Sequence, residues 1–288
     1  MQVINLINKE KSGIVYDIIT FSDGEKHIKL ISEVDRKDKV TVVCRITSMD
    51  ELFILSQVGD ILNRMEVEWA LIITYLMGMR MDRVMSFNEA FSLKIVSNII
   101  NDLKASAVFI VEPHSDRTLK LINNSQALMN HFMLMAQNDD KHKNIIVFPD
   151  AGAKLRYAGD VSGDVPILTC HKKRDVATGK LSGFGLDNPE ILDQYPDYDG
   201  FFMIDDLCDG GGTFCGMAEI LKDVRPNFHK TLAITHAVNV RGIYKIADAF
   251  DTVYITDSYK DWELDQYIAS DENKNVVVLA TEQYYYNI

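Results

Sequence analysis

The chain has 288 residues, with 30 basic side chains against 42 acidic ones and a formal charge of −12. That length suggests about two domains. A content of 47% apolar and 25% charged residues is ordinary for a globular protein and excludes a disordered chain. The acid surplus argues against nucleic-acid or anionic-membrane partners, since both reward Lys and Arg; at first sight it also argues against a phosphorylated substrate. Cys44, Cys170, Cys208 and Cys215 form no CxxC pair and no metal-like spacing with His, so reduced thiols are expected. No apolar run reaches the roughly 18 residues of a membrane span, and the N-terminus lacks the apolar centre of a signal peptide. These features read as a soluble, cytoplasmic protein.

In chain order, the first expected strand is Ile14–Thr20, followed by a turn at Phe21-Ser22-Asp23-Gly24-Glu25 that on composition alone is an ordinary β-turn. A strand is expected at Lys39–Ile46, then a helix at Glu51–Met65 with Asp50 as its N-cap and apolar residues at 54, 58, 61, 62 and 65. The strand Trp69–Leu76 runs into Arg80-Met81-Asp82-Arg83, where two arginines flanking an acid suit a polyphosphate or nucleobase clamp. A helix over Glu89–Leu103 leads to the strand Val108–Glu112, whose exit holds Pro113 and His114. A histidine beside acids there could ligate Mg²⁺, shuttle a proton, or be purely structural.

The strand Asn144–Phe148 ends in Pro149-Asp150-Ala151-Gly152, and a further strand is expected at Pro166–Cys170. His171–Lys180 carries Lys172, Lys173, Arg174 and Lys180, whereas Leu181–Leu221 has no Lys or Arg and is rich in acids. Within that stretch Gly179–Gly200 reads as a long loop. The most specific constellation follows: an apolar strand Phe201–Ile204, then Asp205-Asp206-Leu207-Cys208-Asp209-Gly210-Gly211-Gly212, then Thr213 opening a helix over Thr213–Val224. Glycines allow backbone N–H groups to approach an anion, the helix start adds positive potential, and the paired acids can hold sugar hydroxyls or a metal. The remaining elements are strands Thr231–Thr235, Thr252–Thr256 and Asn275–Leu279, with a helix at Arg241–Phe250. Strand–helix alternation at this spacing implies βαβ units with mostly parallel sheets, whose ligands sit beyond the C-terminal strand ends.

Taken together, these segments resemble the ribose-phosphate pyrophosphokinases. Phe21–Glu25 matches that family's FSDGE, Arg80–Arg83 falls on RQDR, Glu112-Pro113-His114 on DLH, and Pro149–Gly152 on PDxG. Lys172-Lys173-Arg174 falls on the KRR that opens the flexible loop, Asp205–Thr213 on DDxxDTGGT, and Thr235-His236 on TH. The resemblance implies two type I phosphoribosyltransferase-like α/β domains. Residues 1–137 would form the first, joined by about 276–288 through the returning strand Asn275–Leu279. Residues 138–275 would form the second, carrying the ribose and 5-phosphate loop and the flexible loop.

The implied activity is transfer of the β,γ-diphosphate of Mg·ATP to the anomeric hydroxyl of ribose 5-phosphate, releasing AMP, with Mg²⁺ as cofactor. Asp205, Asp206, Asp209, Gly210, Gly211, Gly212 and Thr213 would hold the ribose hydroxyls and 5-phosphate, and His114 and Asp150 would bind or orient Mg²⁺. Arg80, Asp82 and Arg83 would bind ATP, joined by Phe21, Asp23 and Glu25 from a neighbouring subunit of a homodimer or homohexamer. Lys172 and Arg174, with His114, would be catalytic, the two cations closing over the diphosphate. The resemblance also admits ADP-ribose as acceptor, giving its 1-diphosphate for NAD resynthesis. From other classes, a phosphoribosyltransferase and a non-catalytic regulatory paralogue are the alternatives.

The sequence departs from the family pattern in placing Gly210 where Thr is usual, Met81 for Gln, Glu112 for Asp and Ala153 for Gly. Gly210 either relaxes a tight turn or makes room for a larger 5-substituent. The net charge no longer argues against ATP on this reading. Such sites act locally, through backbone N–H groups, a helix terminus, Mg²⁺ and a few cations.

Overall fold

The computed structural model describes residues 2–128, 132–174, 181–262 and 275–284. The chain divides into two compact units, residues 1–129 with 282–288 and residues 130–281. Each unit is a mostly parallel α/β sheet flanked by helices, as expected from the alternation.

In the first unit the strands β1 (Gln2–Asn5), β4 (Val40–Ile46), β5 (Trp69–Leu76), β6 (Ala107–Val111) and β7 (Ser125–Leu128) form a sheet in the order β1-β4-β5-β6-β7, all parallel. Every residue of β5 is buried, which explains its unbroken apolar sequence and its central place. The helices α1 (Met49–Arg64), α2 (Ser92–Asp102) and α3 (Asp116–Leu121) connect successive strands. The core gathers Leu52, Leu55, Val58 and Leu62 of α1 with Leu93, Val96 and Ile100 of α2. Helix α1 starts two residues before the predicted position and is capped by Ser48, not Asp50. Ser48 and Glu51 form a reciprocal capping box, which leaves Asp50 in the first turn.

A hairpin of β2 (Tyr16–Thr20) and β3 (Lys26–Leu30) forms a separate two-stranded sheet. Its tip is Phe21–Glu25. There the Phe21 N–H donates to the Glu25 carbonyl at 2.8 Å, and Gly24 takes φ +92°, a conformation that favours glycine.

In the second unit β8 (Asn144–Phe148), β9 (Ile167–Arg174), β10 (Leu181–Leu186), β11 (Gly200–Cys208), β12 (His229–Ala237), β13 (Thr252–Thr256) and β14 (Val276–Leu279) lie in the order β10-β9-β8-β11-β12-β13-β14. All pairs are parallel except the β9–β10 hairpin. One face packs α4 (Phe132–Gln137) and α5 (Ala151–Tyr157) through Phe132, Met133, Ala153 and Tyr157. The other packs α7 (Gly212–Val224) and α8 (Val240–Ala249) through Phe214, Met217, Leu221, Ile243 and Ile246.

Several expectations need correction. Gly179–Gly200 is not a loop throughout: Leu181–Leu186 pairs as β10 and Ile191–Gln194 forms the short helix α6, while residues 175–180 lie outside the described ones. The strand Val276–Leu279 does not return to the first unit but pairs with β13 in the second sheet. The chain rejoins the first unit only from Glu282, which forms an ion pair with Lys11. Strands β9 and β11 run four residues beyond their predicted ends, so Lys172, Asp205 and Asp206 sit on strands rather than after them.

Candidate active site

Apart from Phe21, Asp23 and Glu25 at the hairpin tip, the residues singled out in the sequence lie on or beyond the C-terminal ends of parallel strands, where α/β sheets bind ligands. In the first unit Arg80–Arg83 follows β5 and His114 follows β6. Asp82 is buried and Arg83 grips it bidentately, with Nε to Oδ1 at 2.8 Å and Nη2 to Oδ2 at 3.2 Å. That hydrogen bond is the main reason the Asp82 carboxyl lies below the usual carboxylate range. Arg117 on α3 donates from Nη1 to the Asp82 carbonyl at 3.2 Å, tying the two strand exits together. Glu112 is buried with φ +41°, a strained backbone of the kind that collects at functional sites. His114 is half-buried, and Arg80 is exposed. The hairpin tip exposes Phe21, Asp23 and Glu25.

In the second unit Asp150 leaves β8 and caps α5, its Oδ1 accepting from the Gly152 and Ala153 N–H groups at 2.9 and 3.0 Å. The neighbouring strand β11 delivers Asp205 and Asp206, whose side chains are 15% and 2% exposed. One guanidinium nitrogen of Arg156, Nη2, donates to Asp205 Oδ1 at 2.7 Å and to Asp206 Oδ1 at 2.6 Å. Burial, then the Asp206 carboxylate, push the Asp205 carboxyl well above its ordinary range against the pull of Arg156.

Beyond the acids, Asp209–Thr213 forms the loop into α7. Asp209 and Gly210 are exposed, and Asp209 Oδ1 accepts from the Asn239 side chain at 3.3 Å. Gly211 is the N-cap of α7 at φ +72°, and no side chain caps that helix, so its first N–H groups can face an anion. A Cβ on Gly211 would lie 2.8 Å from the Gly242 carbonyl, and one on Gly242 would collide with the Asp209 carbonyl. The loop is thus clasped to the start of α8. Gly210 has no such constraint: its φ is not positive, and a Cβ there would meet nothing within 4 Å. Of the two readings of that glycine, the relaxed turn therefore lacks a backbone requirement.

Lys172 is exposed on β9, directly across from Phe184 of β10. Phe184 rests on Gly216 of α7, where any Cβ would strike its ring. The Arg174 backbone is in β9, and its side chain lies outside the described residues. His236 is fully buried, its Nδ1 2.9 Å from the Ser258 hydroxyl, which makes it a structural residue. Arg117 and Arg156 were not anticipated. Each stands within two turns of a strand-exit motif, three residues after His114 and six after Asp150, and that spacing was their only signal.

Ribose-phosphate pyrophosphokinases of Sulfolobus acidocaldarius and Mycoplasmopsis pulmonis are 26% and 27% identical over 216 and 265 residues. The first match covers 69% of this chain and 69% of the relative, the second 85% and 76%. This chain is similar to the ribose-phosphate pyrophosphokinases. A pyrophosphokinase of Vibrio vulnificus matches at 26% over 253 residues, covering 83% of this chain and 76% of that one. No family model matches. The crystal structure of phosphoribosylpyrophosphate synthetase from Mycobacterium smegmatis superposes with a TM-score of 0.73 at 17% identity, covering 97% of this chain and 95% of that one. That likeness establishes the pyrophosphokinase fold, two phosphoribosyltransferase-like α/β domains. Among the described residues no group of three or more His, Cys, Asp and Glu side chains could hold a metal alone, and no helix is long and apolar enough to cross a membrane.

Proposed function

We propose that the chain is an ATP-dependent diphosphokinase that transfers the β,γ-diphosphate of Mg·ATP to the anomeric hydroxyl of ribose 5-phosphate. The observation that carries this reading is the placement of Asp205 and Asp206 on β11 immediately before the uncapped glycine loop of α7. Sugar hydroxyls donate to carboxylates, and a 5-phosphate accepts from helix-terminal N–H groups. In the reaction the anomeric hydroxyl gives up its proton to solvent as its oxygen forms a bond to the β-phosphorus, the bond from that phosphorus to the α,β-bridging oxygen breaks, and AMP leaves with the bridging oxygen. Arg80, Asp82 and Arg83 would position the nucleotide, with the Asp82–Arg83 pair fixing the loop. Lys172 and Arg174 would place positive charge on the transferring diphosphate, and His114 would orient the triphosphate end.

Magnesium usually takes one or two carboxylates and completes its shell with substrate phosphate oxygens and water. Within the second unit, Asp150, with Oδ1 on two N–H groups, and the exposed Asp209 are hard oxygen donors of that kind, and the resemblance would add the His114 ring nitrogen. The residues therefore fit magnesium delivered with ATP. When bound, it would neutralise charge on the β- and γ-phosphates.

The proposed assembly is a homo-oligomer in which the hairpin tip Phe21–Glu25 reaches the ATP site of a neighbouring copy. The exposed apolar residues Val15, Ile18, Ile19 and Phe21 support it. Undisulfided Cys44, Cys170, Cys208 and Cys215 suit the reducing cytoplasm.

The open space at Gly210 favours a second acceptor, ADP-ribose, whose 5-substituent is larger. Product analysis with Mg·ATP and each acceptor separates the readings. AMP and phosphoribosyl diphosphate are expected from ribose 5-phosphate. Turnover of ADP-ribose well above ribose 5-phosphate would move the assignment to the second acceptor. Absence of AMP with either would sink both, in favour of a phosphoribosyltransferase or a non-catalytic paralogue.

A further inference from the structure

The acid pair of β11 already holds a cation of its own. Arg156 Nη2 has two hydrogens, and they are committed to two carboxylates, Asp205 Oδ1 at 2.7 Å and Asp206 Oδ1 at 2.6 Å. The guanidinium thus stands in the wedge between the acids, where a bridging divalent ion would have to sit. A magnesium ion needs about 2.0–2.1 Å to each ligand in a near-ideal octahedron and keeps several waters. Asp206 is 2% exposed and Arg156 20%, so the wedge has little room for that hydration. The arginine is itself held: α5, capped by Asp150, carries it, and the Tyr157 ring centroid lies 5.6 Å from its Cζ. Unlike a lysine or histidine, a guanidinium does not lose its charge on burial. One fixed positive charge against two carboxyls leaves the pair able to accept hydrogen bonds without carrying its full negative charge.

We propose that Arg156 is the resident counter-ion of Asp205 and Asp206, so that this acid pair receives sugar hydroxyls and not a metal ion. Arg156 is then a positioning residue, acting through the acids. The inference rests on the proposed function only in taking the two acids as hydroxyl acceptors.

The test is titration of nucleotide-free protein with Mn²⁺, following loss of the free-ion electron paramagnetic resonance signal. Wild type and Asp205→Asn should bind the same number of ions. Arg156→Met should gain one ion per chain, Arg156→Met/Asp206→Asn should lose it again, and Arg156→Lys should keep the wild-type number. Equal stoichiometry for wild type and Arg156→Met overturns the proposal, as does a wild-type site that Asp205→Asn removes. If Arg156→Met does not fold, as read by circular dichroism, the wild-type and Asp205→Asn comparison decides alone. The titration uses neither ATP nor acceptor, so failure to release AMP would refute the proposed function while leaving this result readable.

Discussion

At the scale of single residues, neighbouring glycines of one loop differ in what they do. Gly211 sits at φ +72°, and a Cβ added there would lie 2.8 Å from the Gly242 carbonyl oxygen. Gly211→Ala should therefore cost about 1–3 kcal/mol from the backbone conformation alone, read as a lowered denaturation midpoint together with a raised KM for the acceptor. Gly210→Ser should be neutral to within about 0.5 kcal/mol, because nothing occupies the space its side chain would enter. If the open space serves a larger acceptor, the same substitution should raise the ADP-ribose KM more than the ribose 5-phosphate KM. Lys172 is exposed, so Lys172→Ala should lower kcat about 10²–10³-fold, the cost of one removed transition-state donor, at unchanged melting temperature. An unaltered kcat would remove Lys172 from the mechanism.

At the scale of elements, the β9–β10 hairpin and α7 are one mechanical piece. Lys172 faces Phe184 across the ladder, Phe184 lies on Gly216, and α7 begins at the glycine loop. Gly216→Ala must displace the Phe184 ring. Since ångström-scale misplacement can cost about a hundredfold, a ten- to hundredfold fall in kcat with little change in stability is expected. At the opposite strand ends His142 of the segment before β8 stacks on His229 of β12, centroids 4.3 Å apart. Burial first, then His142, lower the His229 pKa below its ordinary 6.5. A histidine whose folded pKa is depressed favours folding above the unfolded value, and that contribution fades as pH falls from 6.5 toward the folded pKa. Melting temperature should drop across that window, and His229→Gln should flatten the drop.

The same elements show where sequence reading succeeds. Strands β5, β8 and β13 were placed to the residue because unbroken apolar runs bounded by polar exits admit few alternatives. Strand β10 was missed because Leu181-Ser182-Gly183-Phe184-Gly185-Leu186 carries two glycines in six residues, and its pairing comes from the β9 partner instead. Strands β1, β3 and β7 were missed because they are edge or hairpin segments of four or five residues with polar residues among the apolar ones. In the site, the glycine loop was legible because strand, acids and helix start are contiguous. Arg156 was not, because its partners lie 49 and 50 residues away and only the β8–β11 pairing brings them together.

At the scale of the whole molecule, the hairpin β2–β3 gives Tyr16 and Ile28 to the core of its own unit but leaves other apolar side chains outside it. All of Asp17–Thr20 is exposed, with Ile18 and Ile19 43% and 47% accessible. Under the proposed assembly, Ile18→Ser/Ile19→Ser should shift the chain to monomers in light scattering and abolish AMP release, with the circular dichroism of the fold retained. Monomers that keep full turnover would separate the hairpin from the ATP site.

The path of the last residues sets an order of events in synthesis. The first unit draws on the opening 129 residues and again on Glu282 onward, with the whole second sheet, including β14, strung between them. Lys11 therefore waits for Glu282 until every strand of the second unit has been made. On a ribosome adding roughly 5–20 residues per second, that separation is on the order of tens of seconds. From the completion of residue 129 until Glu282 arrives, the first unit must persist on its five-stranded core alone, and the Lys11–Glu282 ion pair becomes a late stitch rather than a seed for its folding.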